Sequence, residues 1–307
     1  MAAPPEFPAD HHERIHVTRG SHGRENRVHA VLLLRLRIVR RSATVSSVHP
    51  ILLRTPFLTI YTFGVLLASA YVVALSWMVR DARRAGFDPD VFMSLGFTAI
   101  VGALIGAKAL YLLRNPSDLF SWSAVASAGD FYGGFIGGLI ASGLFFLRHP
   151  EIPVWRAADI CAPAIALGQA IGRVGCFMAG DDYGRPTNVP WAVVFSNPVA
   201  ADIGGAPLGI RLHPVQLYES AVCLALFGAL LWFRRRPHRD GDVIIAYSVG
   251  YAIARFVLEF YRGDADRGFA FGGLLSTSQL IALVVLVVAA LVLATRRRRG
   301  NQRARTN

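Results

Sequence analysis

The stretch Gly168–Thr187, with the sequence GQAIGRVGCFMAGDDYGRPT, decides the fold. Its first half has the pattern of an apolar, small-residue helix that carries Arg173, and its second half leaves the helix through two carboxylates and a turn. An arginine at membrane depth costs several kcal/mol, so it is usually functional and has a partner. Glycines at 168, 172 and 175 leave a bare face that a helix or a ligand can approach closely. The alternative interpretation is a glycine-rich packing helix whose arginine reaches the interface.

The composition is that of a membrane protein. The 307-residue chain is 53% hydrophobic and only 17% charged, with positive mean hydropathy, which is too apolar for an ordinary soluble domain. Its net charge of +12 comes almost wholly from arginine, since Lys108 is the only lysine. Because these arginines flank apolar segments, we interpret them as topology signals and contacts to membrane lipids, and not as a nucleic-acid surface. The three cysteines lack metal-type spacing, and no metal or organic cofactor is predicted.

Seven apolar stretches each approach the length that crosses about 30 Å of hydrocarbon. They lie at approximately 59–79, 91–113, 131–147, 158–178, 215–233, 242–261 and 275–295. We therefore predict an all-α polytopic membrane protein with seven transmembrane helices. The loop at about 181–214, between spans four and five, is rich in turn residues and contains a β-like run, Trp191 to Phe195. We expect this loop to form a small extracytoplasmic head.

Arginines predict the orientation of the bundle. The loops and tail at one end of the predicted spans hold fifteen, and the loops that connect spans at the other end hold five. The fifteen are Arg80, Arg83, Arg84, Arg148, Arg156, Arg234, Arg235, Arg236, Arg239, Arg296, Arg297, Arg298, Arg299, Arg303 and Arg305. Cytoplasmic loops carry such an excess of positive charge. The C-terminus is therefore expected in the cytoplasm and the 181–214 loop outside.

The two ends of the chain differ from its middle. Residues 1–47 are rich in histidine and arginine, and their apolar run is too short to span a membrane. We expect them to be a disordered or mis-annotated extension, with translation starting near Val48. Residues 48–295 are expected to form the seven-span domain, and residues 296–307 a basic cytoplasmic tail.

Polar residues inside the predicted spans form local constellations. Arg255 and Glu259 lie four residues apart in span six, so a helix places them on one face, where they can pair or jointly bind a polar head group. Two arginines in separate spans, Arg173 and Arg255, suit a phosphodiester because the guanidinium fork matches phosphate oxygens. Asp159 is interpreted as a helix cap rather than a catalyst.

Two further segments, each at the start of a predicted span, contain candidate site residues. The sequence HPVQLYE at 213–219 begins span five, and YGG at 132–134 begins span three. Close backbone approach by a ligand at these glycines is one interpretation. An interfacial aromatic anchor with a GxxxG-like packing face is the other.

Together these segments resemble the prolipoprotein diacylglyceryl transferase family over roughly residues 48–295. The resemblance rests on several motifs in the same order as in the family: Gly172-Arg173-x-Gly175-x-Phe177 followed by Asp181 and Gly184-Arg185, Tyr132-Gly133-Gly134, His213-Pro214-x-Gln216-Leu217-Tyr218-Glu219, and Arg255-Phe256-x-x-Glu259-Phe260-x-Arg262. It implies a bacterial inner-membrane enzyme that moves the diacylglyceryl group of phosphatidylglycerol to the lipobox cysteine in a prolipoprotein signal peptide. A thioether forms and glycerol phosphate is released, near the outer leaflet.

The resemblance also implies residue roles. The catalytic candidates are Arg173, Arg255, Tyr132, Asp181 and Glu259. Contacts to phosphatidylglycerol are expected from Arg173, Cys176, Gly184, Gly133, Gly134, His213, Gln216, Tyr218, Glu219 and Tyr61. The substrate's thiolate is the nucleophile, so the enzyme needs cations for the phosphate and a proton acceptor for the thiol.

Four positions depart from the family pattern. The family usually has histidine at position 132, asparagine at 176 and glutamate at 181. The family's tyrosine before Gly64 is replaced by Phe63, with Tyr61 two residues earlier. Because a tyrosine is a poor base at neutral pH, the proton acceptor stays open, and Asp182 can share the role of Asp181. Two alternatives to the transferase also stay open: a divergent enzyme with another phospholipid or acceptor, and a non-catalytic protein that binds or transports lipid.

Overall fold

The computed structural model describes residues 48–119, 121, 129–264, 268–270 and 273–306. Seven helices within these residues are long and apolar enough to cross a membrane. In chain order the helices are α1 Thr62–Arg84, α2 Pro89–Arg114, α3 Phe131–Arg148, α4 Val154–Ala179, the short α5 Pro198–Gly204, α6 Val215–Phe233, α7 Asp242–Leu258 and α8 Thr277–Thr306. The prediction of an all-α membrane protein with seven spans is confirmed. The expected extension at residues 1–47 lies outside the described residues.

Helix ends differ from the predicted bounds where charged residues continue a helix beyond its apolar part. α1 continues past residue 79 to Arg84, and α8 continues past residue 295 to Thr306. Arginine is a good helix former, so a span that ends in arginines extends into the polar layer. Span six behaves differently: α7 ends at Leu258 and a 3-10 turn, Glu259–Tyr261, completes the span.

Short strands lie at the ends of the helices. β1 Ile51–Arg54 pairs antiparallel with β2 Thr59–Tyr61 just before α1. β3 Val193–Val194 pairs with β4 Arg211–Leu212 between α4 and α6, and β5 Phe269–Ala270 pairs with β6 Leu275–Ser276 before α8. The predicted β-like run Trp191–Phe195 thus contains β3. Residues 180–214 also have an apolar cluster of their own, made with Val48 and the end of α4: Phe177, Val193, Phe195, Ala200, Ala206 and Leu212.

α4 is the central helix, and it packs against α1, α6 and α7. Its small residues permit this, since Ala157, Ala162 and Ala166 are fully buried. Two of its glycines also pack on α1, where Gly168 faces Ala74 and Gly175 faces Phe63. Between them, Gly172 faces open space. The bare face predicted from these glycines is therefore covered by a helix at both ends and is open in the middle.

α2 and α3 form a hairpin whose helices meet through backbone. A Cβ atom at Gly133 would collide with the carbonyl oxygen of Gly106, and one at Gly137 with that of Gly102. Only glycine allows this approach. The packing-face interpretation of the 133–138 glycines is therefore confirmed for Gly133 and Gly137. Toward the arginine-rich end, the hairpin joins α1 and α4 in an apolar cluster that includes Met78, Phe92, Leu95, Phe145, Ile160 and Ala164.

Asp159 caps a helix, but not its own. Its carboxylate accepts hydrogen bonds from the amides of Gly241 at 2.6 Å and Ile244 at 2.9 Å. These amides belong to the first turn of α7, whose N–H groups have no partner inside the helix. The carboxylate of α4 therefore fixes where α7 begins.

Candidate active site

Arg173 lies near the C-terminal end of α4, with its side chain largely buried. Its Nε is 3.1 Å from Oε1 of Glu219 on α6, and its Nη1 contacts the carboxylate of Asp182. The same Nη1 is 3.8 Å from the sulfur of Cys176, one turn further along α4. Two carboxylates from different elements thus balance the charge that the sequence places within an apolar helix.

Asp182 bridges two arginines. One carboxylate oxygen contacts Arg173 and the other contacts Arg262, which follows span six. Asp182 has a φ of 52°, a left-handed conformation that aspartate tolerates better than most residues. Burial alone would raise the pKa of Asp182, but the two guanidinium groups outweigh burial and hold that pKa at about 2. The carboxylate is therefore ionised throughout the physiological pH range, and it occupies an anion site between two cations.

The loop after span six is tied to the loop after α4. Arg262 is itself held by Asp264, with contacts of 2.8 and 2.5 Å. The amide of Gly263 donates to the carbonyl of Tyr183 at 2.9 Å. Gly184 lies where two segments of the backbone pass close together, and a Cβ there would collide with the carbonyl oxygen of His213. Glycine at 184 is thus required by close backbone approach, which gives this predicted site residue a structural reason.

Arg255 and Glu259 form the predicted pair, with Nη1 2.8 Å from Oε2. Arg255 also donates to Ser278 of α8 at 3.0 Å. One turn before Arg255, Tyr251 donates to Oε1 of Glu219 at 2.8 Å, the oxygen that also faces Arg173. Tyr251 therefore joins α7 to Glu219, which faces Arg173, and it lies one helical turn before the Arg255–Glu259 pair.

Asp181 differs from its neighbour Asp182 in having a free carboxylate oxygen. Its Oδ1 is buried and accepts no hydrogen bond from the described residues. Its backbone carbonyl accepts a hydrogen bond from Nε2 of Gln216 at 2.5 Å, and Gln216 is only 1% exposed. Burial and the charge of Asp182 raise the pKa of Asp181 to about 6. The carboxylate is therefore positioned by its backbone and is a much stronger base than Asp182.

An aromatic group flanks this network at the start of α6. Nδ1 of His213 lies 3.2 Å from the hydroxyl of Tyr218, which also accepts a hydrogen bond of 2.6 Å from Trp191. The rings of His213 and Tyr261 meet edge to face at 5.3 Å. Burial lowers the pKa of His213, so its imidazole is neutral at pH 7.

A cluster of possible metal ligands lies inside the network, but two neighbouring guanidinium groups make it unfavourable for a cation. Ligand atoms of Cys176, Asp181 and Asp182 lie within 4.8 Å of one another. The guanidinium groups of Arg173 and Arg262 already occupy both oxygens of Asp182. A cation there would have to displace or tolerate two positive charges, so the arrangement favours anions.

The structure joins most of the predicted site residues and leaves some apart. The network around Tyr251 contains Arg173, Cys176, Asp181, Gln216 and Glu219, and Gly184, His213 and Tyr218 border it. The Arg255–Glu259 pair lies one helical turn further along the same span. Among the described residues, no hydrogen bond, ion pair or ring contact joins Tyr132 or Tyr61 to this network. The Tyr132 ring meets Phe131, Tyr61 is 46% exposed beside α1, and Gly133 serves helix packing. For Tyr132, Tyr61, Gly133 and Gly134, a role in the site stays a prediction.

Sequence reasoning missed the roles of Tyr251 and Arg262 and weighted Asp182 too lightly. One signal was available, because Tyr247, Tyr251, Arg255 and Glu259 recur at intervals of four and so line one face of a helix. Tyr247 donates to Gln169 of α4 at 2.6 Å. The bridge from Asp182 to Arg262 had no comparable signal, because the two residues lie in different loops.

This chain is similar to known proteins of one family. A family model described as prolipoprotein diacylglyceryl transferase matches residues 50–295. A Clostridium tetani protein named phosphatidylglycerol–prolipoprotein diacylglyceryl transferase is 32% identical over 247 residues, which are 79% of this chain and 96% of the relative. Proteins of the same name from Geobacillus kaustophilus and Acinetobacter baumannii are 31% and 30% identical, over 86% and 80% of this chain and 98% and 91% of their own lengths.

Proposed function

Because the chain belongs to the prolipoprotein diacylglyceryl transferase family, we propose that it transfers the diacylglyceryl group of phosphatidylglycerol to the cysteine thiol of a prolipoprotein. The product is a thioether, and glycerol phosphate leaves. One observation carries this proposal: Arg173 and Arg262 converge on a single carboxylate, that of Asp182. Two guanidinium groups that hold one anion can hold a phosphodiester in the same manner.

The chemistry needs charge stabilisation more than it needs an enzyme nucleophile. The attacking atom is the sulfur of the acceptor cysteine, and negative charge accumulates on the phosphate oxygen as the carbon–oxygen bond breaks. Preorganised cations at that oxygen stabilise the transition state. Arg173 and Arg255 are our candidates, and Arg262 is joined to Arg173 through Asp182. Glu219 and Glu259 keep the first two side chains in place.

We further propose that the site lies near the outer leaflet of the bacterial inner membrane. The network lies where α4 and α7 end and α6 begins, which is the end opposite most of the arginines. By the positive-inside rule, that arginine-rich end and the C-terminus are cytoplasmic. Residues 181–214 then form the extracytoplasmic head, which covers the site from the water side. The acceptor is expected to be the lipobox cysteine of a secreted precursor, reached from the lipid phase.

The test uses purified protein in vesicles that contain labelled phosphatidylglycerol, with a lipobox peptide as acceptor. Label is expected on the peptide cysteine with the wild type and is expected to fall by about 10²- to 10³-fold with Arg173→Ala. Arg148→Ala, at the opposite end of the bundle, is the matched control and should keep full activity.

Two outcomes would contradict the proposal. No transfer by folded wild-type protein, with transfer from another phospholipid or to another thiol, would identify a divergent enzyme. Retained lipid binding without any transfer would identify a lipid-binding protein.

A further inference from the structure

We infer that Asp181 is the proton acceptor for the substrate thiol, an inference that rests on the proposed transferase activity. Its carboxylate lies beside Cys176 and Arg173, within the network that would hold the phosphate. Its Oδ1 is buried and accepts no hydrogen bond from the described residues. A buried carboxylate oxygen without a donor is costly, and this oxygen is available to accept a proton.

The other carboxylates of the network are already engaged. Both oxygens of Asp182 contact arginines. Oε1 of Glu219 faces Arg173 and accepts the hydroxyl of Tyr251. Glu259 pairs with Arg255. A carboxylate that is bound to a guanidinium group is a weak base, because the neighbouring positive charge favours its ionised form.

The chain's own thiol shows that the position suits sulfur. Cys176 interacts with the carboxylate of Asp181, while its sulfur lies 3.8 Å from Nη1 of Arg173. A carboxylate beside a thiol can take its proton, and a guanidinium group nearby can stabilise the negative charge that develops as the proton leaves. One turn before Cys176 and on the same face of α4, the open space at Gly172 leaves room next to this position.

The charges around Asp181 suit a base that works at neutral pH. Asp182 in the same loop and Cys176 on α4 face it, with Arg173 on α4 and Arg262 after span six. Burial and Asp182 raise the pKa of Asp181 to about 6, and the two arginines partly oppose them. The ideal pKa of a general base lies near the operating pH. Asp181 is therefore ionised at pH 7 and basic enough to compete for a proton.

The step balances in atoms and charge. Asp181 takes the proton of the acceptor thiol, and the thiolate forms a bond to the carbon of the diacylglyceryl group that bears the phosphate. The bond between that carbon and the phosphate oxygen breaks, and its electron pair stays on the oxygen of the departing glycerol phosphate. The proton on Asp181 then passes to the phosphate monoester or to water, which restores the carboxylate.

The decisive experiment compares Asp181→Asn with the wild type, using peptides that carry either cysteine or selenocysteine in the lipobox. A selenol is already ionised at neutral pH and needs no base. With the cysteine peptide at pH 7, we expect a loss of about 10²- to 10⁴-fold. The selenocysteine peptide should recover most of it. The cysteine reaction of the variant should also rise about tenfold per pH unit up to pH 8, in step with the thiolate fraction of a cysteine with pKa about 8.5.

Three further variants separate the proposed role of Asp181 from a role of its neighbours. Asp202→Asn, at an exposed position of α5, is the matched control and should leave both reactions unchanged. His213→Gln and Tyr132→Phe test the two remaining groups that resemble bases. If the selenocysteine peptide rescues either of these variants and does not rescue Asp181→Asn, the inference is wrong.

The other possible results for Asp181→Asn also test the inference. An Asp181→Asn protein that binds labelled phosphatidylglycerol normally but fails with both peptides overturns the inference. If this variant loses lipid binding, the pH profile of Asp181→Glu decides. The pH at which its transfer rate falls on the acidic side should differ from that of the wild type. An unchanged pH overturns the inference. An inactive wild type would instead reject the proposed transferase activity itself.

Discussion

The α2–α3 hairpin and the group formed by α4, α6 and α7 both pack through small residues, but the second group also has buried polar contacts between its helices. In the hairpin, Gly102 and Gly106 meet Gly133 and Gly137 backbone to backbone. In the other group, charged and phenolic side chains cross from helix to helix, as from Tyr251 to Glu219. Small residues provide close packing in lipid, whereas buried charges in lipid are kept for function. The difference separates a packing region from a chemical one in the same bundle.

The strongest way to break this distinction is Arg173→Lys. Lysine keeps the positive charge but has no planar fork, so it cannot face Glu219 and Asp182 together. We expect activity to fall by about 10²- to 10³-fold, the usual effect of removing one transition-state donor. The vesicle transfer assay measures this, with Arg148→Lys as control. Near-normal activity would mean that charge alone is needed at position 173.

Asp181→Asn is expected to stabilise the protein at neutral pH while it loses most of its activity. The pKa of Asp181 is about 6 in the folded protein and about 3.9 in an unfolded chain. The folded state therefore binds more protons between these values, and stability falls as the pH rises from 4 to 6. Asparagine does not ionise, so the variant does not lose stability in this pH range. We therefore expect its free energy of unfolding at pH 7 to exceed that of the wild type by about 2–3 kcal/mol.

The measurement for this prediction is the midpoint of SDS-induced unfolding at pH 4.5 and pH 7. Asp202→Asn should show the wild-type difference between the two pH values. A variant that is less stable than the wild type at pH 7 would show that the carboxylate makes net favourable contacts.

In the hairpin, Gly137→Leu should destabilise without damaging the chemistry. The added side chain begins where the carbonyl oxygen of Gly102 lies, so the two helices must separate. Overpacking of this kind costs about 1–3 kcal/mol. Gly143→Leu is a matched control on the same helix, because a Cβ at Gly143 meets open space. Unfolding in SDS measures the loss, and activity per folded molecule should stay within about twofold of the wild type.

The smallest expected change in activity is tested by comparing substitutions of two tyrosines. Tyr251→Phe removes the hydrogen bond to Glu219 and should lower activity by about tenfold, the effect of about 1.4 kcal/mol. Tyr132→Phe removes a hydroxyl that joins nothing in the network among the described residues, and activity should barely change. Transfer rates of the two variants, measured side by side, test this. A larger loss in Tyr132→Phe would show that this phenol enters the site when substrate binds.

The spans and the local pairs could be predicted from sequence because both depend on neighbours in the chain. Apolar length identified seven helices, and a spacing of four placed Arg255 beside Glu259. The bridge from Asp182 to Arg262 could not be found in this way, because it joins loops that follow different helices. For the same reason Asp159 was recognised as a cap while the helix that it caps was not. The packing of Gly133 and Gly137 was open to two interpretations until their partner helix was known.

Asp159 and Asp182 together have a mechanical consequence for α4 and α7. Asp159, near the start of α4, holds the first turn of α7, and Asp182, just after α4, holds Arg262 just after span six. A slide of one helix along the other by one turn, about 5.4 Å, would break both attachments at once. The contacts at both ends thus oppose any slide of α4 along α7. If a lipid enters the bundle, we expect the axial register of these two helices to stay unchanged.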